Sequence, residues 1–202
     1  MKKSLKKSKL LYKTLFSHKV KNKLNLGINS KKELYDFFEE IQTSIIFSYI
    51  SIEAFSNAAV PEDYEYEKIN EKGIKEIWNK KNIERWITTS EKVGSILPKI
   101  LQSTDIKKEF FWTDFKNLEK LRNEIVHQKT IQKETALDTS IYGEMLNSSI
   151  FTTIESSIHV IDFFYKLNNA HPYFPLGLGI ANFQVLKIDS MEKHFKKLEE
   201  EE

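Results

Sequence analysis

Apolar residues along this 202-residue chain recur at helical rather than strand spacing. Within residues 1–23, Leu10, Leu11, Leu15 and Phe16 suggest a short amphipathic helix, interrupted by Gly27 and the Asn/Ser stretch to Ser30. Ser30 with Glu33 reads as a capping box opening a helix through Tyr35, Phe37, Phe38 and Ile41 to about Val60, where Pro61 stops it. From Ile41 to Phe55 its apolar residues fall all round the axis, which predicts a central helix; Ser44, Ser48, Ser51 and Ser56 let neighbours approach. Residues 61–70 read as an acidic, Tyr-bearing connection, with Gly73 a break before Trp78. Asn82 is placed to cap a helix over residues 83–97 that Pro98 disturbs. Ser103-Thr104-Asp105 then opens a further helix ending near His127. Asp138 is placed to cap a last long helix with Ile141, Met145, Ile150, Ile154, Ile158, Ile161, Phe164 and Tyr165 as core positions; His159 among them reads as a packed residue. Residues 181–188 suggest a brief strand or arm, before a charged helix from Ser190. With no repeat and no alternation of strands with helices, the expected fold is all-α, a bundle of four to five main helices over residues 31–170. A basic extension over residues 1–30 precedes it, and an irregular arm with a charged tail over residues 171–202 follows.

The helix before His127 carries the most unusual pattern. At about 100° per residue, Phe111, Phe115, Leu118, Leu121, Ile125 and Val126 gather on one arc, with Trp112 at its margin. Arg122 projects from the middle of that arc, where a charge is costly unless it meets a partner or opens onto a site. Asn123 and His127, at i and i+4, share a face at its edge. Glu119, one turn before Asn123, could position either polar residue. Glu53 is the formal charge among the apolar residues of the central helix; it is either an edge-facing carboxylate or an interior partner for Arg122.

Composition narrows the chemistry. The chain has no Cys, which excludes disulfides and thiolate sites and fits a reducing compartment such as the cytoplasm. No stretch approaches the roughly 18–20 apolar residues of a membrane span, and the Lys-rich start lacks a signal-peptide pattern, so no membrane association is expected. The net charge of +2 hides two blocks: residues 1–23 hold nine Lys and no acid, and the chain ends in four Glu. The basic block reads equally as a solvated extension or as a surface for nucleic acid. Of 31 Lys and Arg only Arg85 and Arg122 are Arg, so the planar fork is used sparingly. The five His show no metal-binding spacing, no Walker loop or nucleophile elbow is present, and Gly177-Leu178-Gly179 is too short for a phosphate loop; no metal and no cofactor are expected.

Arg122-Asn123-Glu124-Ile125-Val126-His127, an Arg followed by a polar residue with four residues before a His on an apolar-faced helix, resembles the signature of the HEPN superfamily. The resemblance implies a helical bundle that pairs with a second copy through the motif helix, forming a metal-independent endoribonuclease site at the interface. It implies Arg122, Asn123 and His127 as the catalytic set. It also implies a bacterial toxin or anti-phage defence role, with RNA as substrate and an antitoxin or defence partner as a possible regulator. The alternative within the family is a non-catalytic nucleotide- or protein-binding module, with Arg122 a packing residue paired with Glu119, Glu53 or Glu124. Some toxin pairs carry a modified Tyr two residues after the His; here that position is Lys129. Chemistry independently suits the first reading. Metal-free RNA cleavage needs a base for the 2′-hydroxyl, an acid for the leaving 5′-oxygen and a cation for the phosphorane. One clear His per protomer implies either two copies or one His with water.

Overall fold

A computed structural model describes residues 2–17, 19–20, 23–24, 30–69, 71–127 and 141–167. The expected cap at Asp138, residue Lys129, Gly177 to Gly179, and the arm, final helix and tail of residues 171–202 lie outside the described residues, as does the Ser30 side chain of the expected capping box. The fold is predominantly α-helical and bundle-like. Four long helices form its frame: α1 (Lys2–Ser17), α2 (Ser30–Ala58), α6 (Trp112–Val126) and α8 (Ile150–Tyr165). Between α1 and α2, β1 (Lys19–Val20) and β2 (Lys23–Leu24) pair antiparallel. Between α2 and α6 lie the hairpin β3 (Tyr66–Ile69) and β4 (Lys75–Trp78), then the short helices α3 (Lys80–Trp86), α4 (Thr89–Glu91) and α5 (Leu97–Ile100). A π-helical turn, Lys92–Ile96, joins α4 to α5, and a 3-10 turn, Ile106–Lys108, follows. Helix α7 (Ile141–Met145) precedes α8. Among the described residues no helix is long and apolar enough to cross a membrane.

Helix α1 packs through Leu5, Ser8 and Leu15, a stripe at i, i+3 and i+10 that leaves Leu10 exposed, contrary to the expected apolar face. Tyr12 joins three elements: it stacks on Phe16 and meets Phe37 of α2 at 5.9 Å and Phe151 of α8 at 5.2 Å. Two lysines of the basic block reach neighbouring helices at the surface, Lys7 pairing with Glu40 at 2.7 Å and Lys9 with Glu155.

Helix α2 is central, as its pattern predicts. Phe37, Ile41, Ile45, Ile52 and Phe55 are buried where α2 packs with α1, α6 and α8, with Phe55 stacked on Phe164 of α8 at 6.0 Å. Buried serines allow the close approach: Ser44 and Ser56 donate to the Glu40 and Glu53 carbonyls of their own helix, and Ser156 and Ser157 of α8 do likewise to Thr153 and Ile154. One stripe stays open, however, since Phe47 is 54% and Ile50 42% exposed.

Three local expectations are corrected. The connection after Pro61 is a hairpin, in register Tyr66↔Trp78 to Ile69↔Lys75, turned by Gly73 at φ +76°. Its Tyr66 is buried and donates to Glu91 Oε1 at 3.0 Å, while the rest of β3 is exposed. The helix expected over residues 83–97 is broken: Asn79, not Asn82, caps α3 by accepting from the Asn82 N–H at 3.0 Å, and Thr88 ends it by capping α4 through the Glu91 N–H at 3.2 Å. Pro98 sits in the first turn of α5, where its missing N–H costs little. The last helix divides after Met145 because the Asn147 side chain accepts from both the N–H and the hydroxyl of Ser149.

Candidate functional site

Asp105 caps the 3-10 turn rather than a long helix, and α6 starts at Trp112. Phe111, Phe115, Leu118 and Leu121 are buried along the predicted arc and Ile125 is half-buried, but Val126 is 50% exposed. The core thus covers the arc's first three turns and leaves its end open.

Arg122 is half-buried at that end. Its guanidinium carbon lies 5.0 Å from the centre of the Tyr49 ring, and its Nη1 donates to Asn123 Oδ1 at 2.9 Å. The π face of Tyr49 offers the cation an attractive seat without neutralising it. Among the described residues no carboxylate lies within ion-pair distance of Arg122; neither Glu53 nor Glu119 nor Glu124 holds it.

Glu119 is engaged elsewhere. One carboxylate oxygen accepts from the Tyr49 hydroxyl at 3.0 Å, and the other is paired with Lys116. Burial raises the Tyr49 pKa well above the usual phenol range; the Thr89 hydroxyl opposes this and the Glu119 and Glu53 carboxylates reinforce it, so the hydroxyl stays a donor. Glu53 is half-buried, one turn after Tyr49, and its charge also acts on Lys92.

His127 ends α6 as its C-cap, its N–H bonded to the Asn123 carbonyl at 2.9 Å, and its side chain is exposed. Arg122 and His127, five positions apart, stand about 140° apart round the axis at about 100° per residue. Asn123 is the link between them, touching the guanidinium and sharing a face with the imidazole. The five residues singled out by sequence are therefore not one cluster. Arg122 and Glu119 meet Tyr49, Asn123 is bonded to Arg122, His127 stands at the helix end, and Glu53 lies along α2.

Two participants escaped the pattern reading. Tyr49 counted only as an apolar position, yet it shares one stripe of α2 with Ile46, Ile50 and Glu53 at i, i+3, i+4 and i+7, and a polar tip on such a stripe is a signal. Lys116 lies three residues before Glu119, a spacing visible without coordinates. His159, expected to be packed, is exposed and meets Phe110 at 5.2 Å and Phe111 at 5.7 Å. Among the described residues no group of three or more His, Asp or Glu side chains is placed to share a metal ion. The chain matches no protein-family model, no curated protein and no solved structure.

Proposed function

We propose that the protein is a metal-independent endoribonuclease of a bacterial toxin or anti-phage defence system, acting on RNA as a homodimer. The observation that carries the reading is an arginine set on an aromatic ring with no carboxylate among the described residues to neutralise it, bonded to an amide that leads to an exposed histidine at a helix end. The likeness of this motif to the HEPN signature supplies the reaction class.

In the proposed step a 2′-oxygen attacks the adjacent phosphorus as the bond to the 5′-oxygen breaks, leaving a 2′,3′-cyclic phosphate and a 5′-hydroxyl. One imidazole takes the 2′-hydroxyl proton and a second gives a proton to the leaving oxygen. Arg122 offers its fork to the non-bridging oxygens, where charge builds. Asn123 orients phosphate or imidazole. Each chain supplies one His in the motif, so a second copy, bringing His127 of the partner subunit, completes the pair. Ile46, Phe47 and Ile50 of α2, on and beside the Tyr49 stripe, and Val126 of α6 give that second copy apolar surface to cover.

The test is cleavage of RNA by purified protein in EDTA, with end-group analysis of the products. His127→Ala and Arg122→Ala should each lower the rate by about 10²-fold or more. Undiminished cleavage in both variants refutes the assignment. A folded protein that binds RNA without cutting it moves the reading to the non-catalytic module.

A further inference from the structure

Arg122 and Glu119 stand three residues apart on α6, the spacing at which a guanidinium and a carboxylate ordinarily meet on a helix surface. They do not meet here. Glu119 is drawn aside on both of its oxygens: Oε1 accepts from the Tyr49 hydroxyl at 3.0 Å, and Oε2 is paired with Lys116. With its side chain only 13% exposed, Glu119 has little freedom to swing back. The same Tyr49 presents its ring face to the guanidinium at 5.0 Å. One side chain thus seats the cation with its face and occupies Glu119 with its hydroxyl.

We infer that Tyr49, assisted by Lys116, is a positioning residue that keeps Glu119 from pairing with Arg122, so that the guanidinium remains open to an RNA phosphate. This rests on the reading of Arg122 as the phosphate-binding residue. Released from Tyr49, Glu119 gains an oxygen without a donor beside an arginine that no carboxylate among the described residues holds, and the two close on each other. A fork so occupied has to lose a charge-assisted bond before it can take a phosphate, a penalty absent in the wild type. The function of Tyr49 therefore depends on what Glu119 is, and that dependence separates positioning from packing.

The experiment measures binding of a single-stranded 2′-O-methyl RNA, which lacks the attacking hydroxyl, to the full chain by fluorescence anisotropy over a range of salt. Arg122→Ala should weaken binding and reduce the slope of log affinity against log salt by about 0.7 per lost phosphate contact. Tyr49→Phe, which keeps the ring and deletes the donor, should weaken binding roughly tenfold with the same loss of slope. Lys116→Met should act in the same direction. Adding Glu119→Gln to Tyr49→Phe should restore affinity and slope, because a neutral amide cannot hold the guanidinium as a carboxylate does. The inference is overturned if Tyr49→Phe binds as tightly as wild type while Arg122→Ala does not, or if the double variant stays as weak as Tyr49→Phe alone. Wild-type binding by Arg122→Ala removes the phosphate role itself, and with it the nuclease reading.

Discussion

Lys92 is 1% exposed, and its ammonium donates to Asn57 Oδ1 at 2.6 Å and to the Glu84 carbonyl at 3.1 Å. It opens the π-turn and ties together the end of α2, the last turn of α3 and the start of the segment leading to α5. Replacing it by Met keeps most of the stem and strands both acceptors. At about 1–3 kcal/mol for each buried group left unsatisfied, and with some relief from no longer burying a charge, the net loss should be about 2–4 kcal/mol. Lys92→Ala also removes three buried methylenes, adding about 2.4 kcal/mol at about 0.8 kcal/mol each. Burial lowers the Lys92 pKa below its ordinary 10.5, with Glu53 and Glu84 partly opposing the shift. The unfolded chain therefore holds more protons than the folded one between that lowered value and 10.5, and stability rises with pH across this window. The neutral amine still has two N–H groups, one for each acceptor. Urea unfolding of wild type and Lys92→Met, followed by tryptophan fluorescence from neutral pH upward, should show the wild-type advantage growing toward pH 10.5 and levelling above it. A Lys92→Met protein as stable as wild type, or a difference that does not change with pH, refutes this account of the tie.

Gly94, within the π-turn, admits no side chain without rearrangement: an added Cβ falls 2.8 Å from Trp112 Cη2 and 2.8 Å from Lys107 Cε. Lys107 can move aside but the indole ring is packed against Phe115, so Gly94→Ala should cost about 1–2 kcal/mol despite the better helix propensity of Ala, and a melting temperature at or above wild type contradicts that packing. Phe47→Glu with Ile50→Glu should leave the monomer's stability within about 1 kcal/mol, since both positions are open, and on the proposed homodimeric nuclease should also shift sedimentation from dimer to monomer and abolish RNA cleavage. A double variant that still sediments as a dimer places the shared surface elsewhere.

The helical frame was legible because long apolar periodicities report burial directly. Phe37, Ile41, Ile45, Ile52 and Phe55 sit where their spacing puts them, and so do Phe111, Phe115, Leu118 and Leu121. What pattern reading missed is local hydrogen bonding by short polar side chains, which competes with helix over single turns. Thr88 and Asn147 each break a helix whose apolar rhythm runs straight through them. Tyr66 shows the same limit for strands, since its partner Glu91 is 25 residues away and no short window contains both. Lys92 was invisible for the converse reason: Thr89, Val93 and Ile96 surround it at buried spacing, but charge argued it outward until Asn57 and Glu84 met it.

The placement of Arg122 separates two arguments that sequence had joined. An arginine on an apolar arc looked as though it required a second subunit, but it is half-buried, its head lies on Tyr49 and its Nη1 meets Asn123, so one chain already makes the position tolerable. The case for a second copy comes instead from stoichiometry, one motif imidazole where the chemistry uses two, and from Phe47, Ile50 and Val126 left open beyond the core. The basic block divides in the same way. Lys7 and Lys9 pair with Glu40 and Glu155 at the bundle surface, while Lys3, Lys6 and Lys13 are exposed on α1 without an ion pair among the described residues. Part of the N-terminal charge is thus matched by carboxylates of α2 and α8, which leaves Lys3, Lys6 and Lys13 the more available to a polyanion. An arginine seated on an aromatic ring, yet with no carboxylate among the described residues to satisfy its charge, is more informative about function than a buried ion pair, because its seat explains where it is and not why it is left open.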